Sequence, residues 1–185
     1  MSWVVFISQT GGEIVDICKR ISTIPSLIIT NNFNKIKNST LSWIEKNKIP
    51  LIVISNKPKL EEYLEILPEA CLITLHGYLR IIPKEIVEKY RIINGHPGLI
   101  SEYEDLKGFN PQEKAWKRQY KNIGSVCHEV TCKVDEGKII NISKINIQLE
   151  EDSLDLYYNK LKQTSLECWT KTLKNELSNR NTRNW

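Results

Sequence analysis

Trp3-Val4-Val5-Phe6-Ile7, Ser26-Leu27-Ile28-Ile29, Leu51-Ile52-Val53-Ile54 and Cys71-Leu72-Ile73-Thr74-Leu75 decide the fold. Each run is short, mostly aliphatic, bounded by turn formers and without strict alternation of apolar and polar residues. Runs of this kind suit strands buried on both faces, as in a parallel sheet. The stretches between them, 14–21, 36–46, 59–67 and 84–90, have helical spacing, so the chain reads as βαβα with right-handed crossovers. The expectation is a single doubly wound α/β domain with a mostly parallel sheet. A fifth strand, 91–94, runs directly into Asn94-Gly95-His96-Pro97. Those polar groups then sit at the carboxyl end of a strand, where open α/β sheets bind their ligands.

The second half has a different rhythm. Residues 97–122 are polar, carry Gly108 and Pro111, and hold a helical stretch at 112–119, which reads as a long functional loop. Ser125–Thr131 and Lys138–Gln148 are rich in β-branched residues and read as a hairpin, with Asp135-Glu136-Gly137 as its turn. Leu154, Leu156, Tyr157, Leu161, Ser165, Cys168, Trp169 and Leu173 recur at near-helical spacing, so a closing amphipathic helix is expected over 153–177. Residues 1–177 are expected to form the domain and 178–185 a frayed tail. The chain shows no internal repeat, linker or low-complexity segment.

Composition narrows the classes. At 185 residues, with 41% hydrophobic and 26% charged residues, the chain can bury a sizeable core. Five cysteines without a CxxC pair or zinc-site spacing suit free thiols in a reducing compartment, so a cytoplasmic location is expected and no metal. The run 3–7 is too short for a membrane span or a secretion signal, and it lacks a basic leader. A net charge of +4 with scattered lysines is too mild to indicate a nucleic-acid partner.

An amide at Asn94, an imidazole at His96 and a carboxylate at Asp135 are groups that acyl transfer to an amine requires. Attack on an acyl carbon creates an oxyanion, which needs N–H donors, and an ammonium, which must lose a proton. Asn94 and His96 offer the donors, and Asp135 offers the acceptor, directly or through a water, with partial burial expected to raise its pKa. The same residues also have a plain structural reading: an Asn and a His before proline cap turns, and Asp-x-Gly is a common hairpin signature.

Four blocks taken together resemble the 10-formyltetrahydrofolate-dependent formyltransferase family: Gly77-Tyr78-Leu79-Arg80-Ile81-Ile82, Ile93-Asn94-Gly95-His96-Pro97-Gly98-Leu99-Ile100, Gly124-Ser125-Val126-Cys127-His128-Glu129-Val130 and Val134-Asp135-Glu136-Gly137. The resemblance runs from about Val4 to Leu173 and implies a Rossmann-like formyltransferase domain. It implies a catalytic set of Asn94, His96 and Asp135, supported by His128. It also implies a folate site built from the backbone of Leu79, Arg80, Ile81 and Ile82 and from the loop Cys132, Lys133 and Val134. The co-substrate would be N10-formyltetrahydrofolate, and the acceptor a small-molecule amine, with glycinamide ribonucleotide first. Other amines, such as an amino sugar nucleotide or a modified nucleotide, stay open. So do hydrolysis of the formyl group and a non-catalytic folate binder, and a monomer or a homodimer.

Departures from the family fall on the acceptor side. The stretch after the first strand, Thr10-Gly11-Gly12-Glu13, is a candidate substrate-binding loop together with Pro97. Two glycines ahead of a helix can bind phosphate through backbone amides. However, Thr10 and Glu13 also fit a Thr-x-x-Glu capping box, which would occupy those donors and add a negative charge. Lys138 stands where the family usually has proline, and Lys107 in the altered loop after His96 is a candidate for an anionic acceptor. In the closing helix, Ser165 falls near the acidic position of the family, with Glu167 two residues later.

Overall fold

The computed structural model describes residues 2–148 and 153–178. The 178–185 tail therefore lies, apart from its first residue, outside the described residues. Seven strands form one sheet in the order β3-β2-β1-β4-β5-β6-β7, and the chain divides into two compact units. The first unit holds the residues up to Asn94 together with Val130–Cys132; the second holds Gly95–Glu129 and the residues from Lys133 onward.

In the first unit, β1 (Ser2–Ile7), β2 (Leu27–Thr30), β3 (Leu51–Val53), β4 (Cys71–His76) and the start of β5 (Arg91–His96) pair in parallel, as the apolar runs predict. Every residue of β2 and β4 is buried, and so are Trp3–Ile7 of β1. Alternate side chains of these strands therefore face apolar layers on both sides. One layer gathers Val4, Phe6, Ile29, Ile73 and Leu75 with Tyr63, Tyr78 and Ile86. Each large aliphatic side chain so buried contributes about 1.5–3 kcal/mol.

The helices α1 (Gly12–Ile21), α2 (Asn38–Lys46), α3 (Leu60–Ile66) and α4 (Lys84–Lys89) fall within a few residues of the periodic stretches. Ile14, Ile17 and Cys18 of α1 make an i, i+3, i+4 buried stripe. α3 starts with a capping box: Lys59 N–H donates to Glu62 Oε1 at 3.0 Å. Ser55 adds its N–H and hydroxyl to the same carboxylate at 2.9 and 2.7 Å, and these bonds, the Ser55 amide first, hold Glu62 below its ordinary range.

In the second unit, α5 (Pro111–Lys117) lies in the long loop, and β6 (Asn122–Glu129) pairs antiparallel with β7 (Ile139–Asn146). The hairpin is present, but the connection is residues 130–138 rather than a tight turn at Asp135-Glu136-Gly137. The register shifts between Cys127 and His128, which pair with Asn141 and Ile139. Such a bulge re-aims the side chain beside it.

The loop after β5 is fastened by Tyr103 stacked on Tyr120, 3.8 Å between ring centroids, and by the Tyr120 hydroxyl donating to Asp105 Oδ1 at 3.0 Å. The closing helix α6 (Leu154–Ser178) buries Tyr157, Leu161, Thr164, Cys168, Trp169, Thr172 and Leu173. Trp169 lies on Gly95: a Cβ there would sit 2.2 Å from the indole Nε1. Only glycine permits that approach.

Candidate active site

β5 carries Asn94 and His96 two residues apart, so the pleat turns both side chains to one face of the strand. His96 is 5% exposed, and in the second unit it meets Asp135, which also meets His128. Asp135 Oδ2 lies 3.2 Å from His96 Nδ1, and Oδ1 lies 3.4 Å from His128 Nε2. Gly108 N–H also donates to Oδ2 at 2.8 Å. The Asp135 backbone is left-handed, with φ of +55°. Aspartate tolerates this conformation better than most residues, and such conformations gather at functional sites.

The far nitrogens of the two imidazoles face carbonyls. His96 Nε2 donates to the Leu106 oxygen and His128 Nδ1 to the Glu129 oxygen, both at 2.8 Å. A carbonyl only accepts, so each ring keeps a hydrogen on that side. The nitrogens on the other side of each ring face Asp135, so the site is a carboxylate held between two imidazoles.

Burial pushes the Asp135 carboxyl up, but the bonds from His128, His96 and Gly108 and the charge of His96 outweigh it and hold the group well below the usual carboxylate range. The expected upward shift is therefore reversed. Partial burial alone would raise the pKa, but this carboxylate collects three donors. Both ring nitrogens of His96 are engaged, so donation toward an oxyanion requires one of these bonds to be exchanged.

The candidate donor-site residues divide by exposure. Leu79, Ile81 and Val134 are 52%, 80% and 56% exposed, so they are not core. Ile82 is buried, and Cys132 and Lys133 are exposed. In the first unit a polar chain that the sequence reading missed holds this segment. Leu79 N–H donates to Ser8 Oγ at 3.0 Å, and Ser8 donates to Asn31 Oδ1 at 2.5 Å. Asn31 Nδ2 reaches Asn56 Oδ1 at 3.3 Å.

Arg80 closes the chain: Nε and Nη2 each bond Asn56 at 2.6 Å, and Nη1 bonds the Leu79 oxygen at 2.7 Å. Both Leu79 backbone groups are thereby used internally. A signal was available, because Ser8, Asn31 and Asn56 are polar residues just past three apolar runs on one sheet edge.

The start of α1 does not form the expected capping box. Gly11 is the N-cap, no side chain caps the helix, and Glu13 Oε2 lies 3.1 Å from His76 Nδ1. A buried imidazole competes better for the carboxylate than an exposed backbone amide does. Thr10 is exposed, Gly11 buried, and Gly12, Glu13 and Pro97 half-buried. Lys107 Nζ is paired with Glu104 at 3.0 Å. Glu167 accepts from the Ser143 hydroxyl at 3.0 Å, and Ser165 is half-buried. Among the described residues no cluster of His, Cys, Asp or Glu has metal-binding geometry, and no helix is long and apolar enough to cross a membrane.

With this geometry in hand, the comparisons identify the class. Residues 1–173 match the formyl transferase family model, and the chain belongs to that family. It is 26% identical over 153 residues to formyltetrahydrofolate deformylase 1, mitochondrial, of Arabidopsis thaliana, covering 80% of this chain and 46% of that one. It is 30% identical over 103 residues to a methionyl-tRNA formyltransferase of Hydrogenobaculum, covering 55% and 32%. The chain thus spans about half or less of the length of these curated relatives. Among solved structures, phosphoribosylglycinamide formyltransferase of Anaplasma phagocytophilum superposes with a TM-score of 0.77 at 27% identity, over 92% of this chain and 84% of that one.

Proposed function

We propose that residues 1–177 act as a catalytic domain that moves the formyl group of N10-formyltetrahydrofolate to a small primary amine. The observation that carries this is Asp135, held left-handed between His96 and His128, with Asn94 two residues before His96. The amine nitrogen attacks the formyl carbon, and the carbonyl electrons move to oxygen. The Asn94 amide, and an N–H of His96 released from its present partner, balance that oxyanion. The C–N10 bond then breaks, and the electron pair leaves on the folate nitrogen.

Asp135, kept ionised, is a weak base by itself. It therefore passes the proton on rather than keeping it: the proton of the attacking amine travels along Asp135, directly or through a water, to the leaving folate nitrogen. In the first unit the exposed Leu79, Ile81 and Cys132 receive the folate. Glycinamide ribonucleotide, for which the superposed Anaplasma enzyme is named, is tested first beside its dephosphorylated form, so that the amine and the phosphate are read separately.

A second reading keeps the same residues and gives the formyl group to water. The carboxylate of Glu13 at the start of α1 favours it, as does the Arabidopsis relative, a deformylase by name. Tetrahydrofolate release, measured with and without amine, separates the two. Release that requires amine supports transfer, equal release without amine supports hydrolysis, and no release in either case contradicts both.

A further inference from the structure

We infer that Glu13 is a specificity-determining residue of the acceptor side, whose carboxylate occupies the place of a bound anion and turns away acceptors that present a phosphomonoester there. The inference rests on the formyl transfer proposed above. Its starting point is the register of the first unit. Ile7 pairs with His76, and Leu75 pairs with Asn94, so the ends of β1, β4 and β5 share one sheet edge. With strands about 4.8 Å apart, Phe6, near the end of β1 and six residues before α1, lies roughly 10 Å from Asn94.

A helix that begins just after the first strand of a doubly wound sheet is the general place for a phosphate, because its first amides and its dipole attract negative charge. α1 is ten residues long and follows β1 through a glycine turn. In this chain three features stand against a phosphate. First, Glu13 places a carboxylate in the opening turn of the helix.

Second, that carboxylate is oriented. His76 has a side chain only 1% exposed, and its Nδ1 lies 3.1 Å from Glu13 Oε2. Its Nε2 lies 3.0 Å from Thr74 Oγ1, which also accepts Trp3 Nε1–H at 2.9 Å. Both ring nitrogens of His76 are thus engaged, Nδ1 with Glu13 and Nε2 with the fully buried Thr74, which holds the ring in place against the carboxylate. The Glu13 side chain is 32% exposed, so it still faces an approaching ligand.

Third, the turn is closed from beneath. The Thr10 oxygen accepts from Lys37 N–H at 3.2 Å and from the Thr40 hydroxyl at 3.0 Å. A Cβ on Gly11, at φ +69°, would meet Thr40 Cγ2 at 2.9 Å, and Gly12 N–H is directed at Thr10 Oγ1 at 3.5 Å. The turn cannot recede to admit a phosphate while Glu13 stays in place. At about 6 Å and an effective dielectric near 20, one like charge lowers anion affinity on the order of 100-fold. Acceptors carrying a neutral or cationic group at this position suffer no such loss.

The test titrates inorganic phosphate and ribose 5-phosphate calorimetrically into wild type and Glu13→Gln, which keeps the shape and an oxygen for His76. Wild type is expected to show no binding at millimolar ligand, and Glu13→Gln to bind ribose 5-phosphate at least tenfold tighter. Millimolar or tighter binding to wild type that Glu13→Gln does not strengthen overturns the inference, and so does a lack of binding to either protein. Circular dichroism checks the fold, and Glu13→Ala serves as the second variant if Glu13→Gln does not fold. A separate folate titration keeps the two questions apart: loss of folate binding would sink the proposed formyl transfer without touching the phosphate result.

Discussion

Replacing Gly95 by alanine tests how closely the site-bearing strand and the closing helix are fitted. The added methyl would lie 2.2 Å from Trp169 Nε1, 2.5 Å from Cε2 and 2.7 Å from Cζ2. Ordinary contact needs about 3.5 Å, so the indole or the strand must give by about 1.3 Å. Trp169 is 1% exposed and has no space to retreat into. Overpacking of this kind costs about 1–3 kcal/mol, and a displacement this large belongs at or above the upper end.

For a chain of this length, 3 kcal/mol lowers Tm by roughly 6–12 °C. Urea unfolding followed by tryptophan fluorescence reads the loss directly. Since Gly95 separates Asn94 from His96, the strain also falls on both, and turnover should drop with stability. A Gly95→Ala protein within 0.5 kcal/mol of wild type would refute the close approach.

Three further outcomes follow from the geometry. Asn31→Ala leaves the buried Ser8 hydroxyl without its acceptor, so a loss of about 1–3 kcal/mol is expected, together with a raised KM for the folate at near-constant kcat; an unchanged KM would disconnect this polar chain from the donor segment. Asp135→Asn should cost about 1–3 kcal/mol at pH 7.

The pH dependence of that difference has a fixed sign. The folded Asp135 carboxyl is held below its ordinary value, so its contribution is full above about pH 4 and fades as pH falls toward the folded value. Urea midpoints at pH 7 and pH 3 for both proteins check this, and a wild-type advantage that grows in acid contradicts it. Finally, Ser143→Ala removes the donor to exposed Glu167 and should change stability by no more than about 1 kcal/mol in thermal unfolding. A larger loss would mean that this contact fastens α6.

The sheet was legible in the sequence because the first four strands are continuous apolar runs; β1, β2 and β4 are buried almost throughout, whereas β3 at the sheet edge is half-buried with Val53 exposed. The helices were legible from stripes such as Ile14, Ile17 and Cys18. Residue chemistry singled out Asn94, His96 and Asp135 but left a plain turn reading open, and it was the family resemblance that implied them as a set; neither gave their hydrogen-bond partners. The Leu106 and Glu129 carbonyls that fix the imidazoles are backbone atoms, and any residue type would supply them.

The capping-box reading at Thr10–Glu13 failed for a related reason. Spacing reports what lies within one turn, whereas the partner of Glu13 is His76, 63 residues away. The Ser8–Asn31–Asn56–Arg80 chain was hidden likewise, since its members belong to four separate strand ends. The length of the 130–138 connection was misjudged because Asp-Glu-Gly is turn-like by composition, while the left-handed Asp135 serves the two histidines instead.

The most direct test of the proposed formyl transfer is tetrahydrofolate release from N10-formyltetrahydrofolate, comparing wild type with Asp135→Asn across a panel of small primary amines with and without a phosphate, glycinamide ribonucleotide among them. The account predicts amine-dependent release by wild type and a loss of at least 100-fold in Asp135→Asn, with folate binding retained. Release by Asp135→Asn within a few-fold of wild type would contradict it.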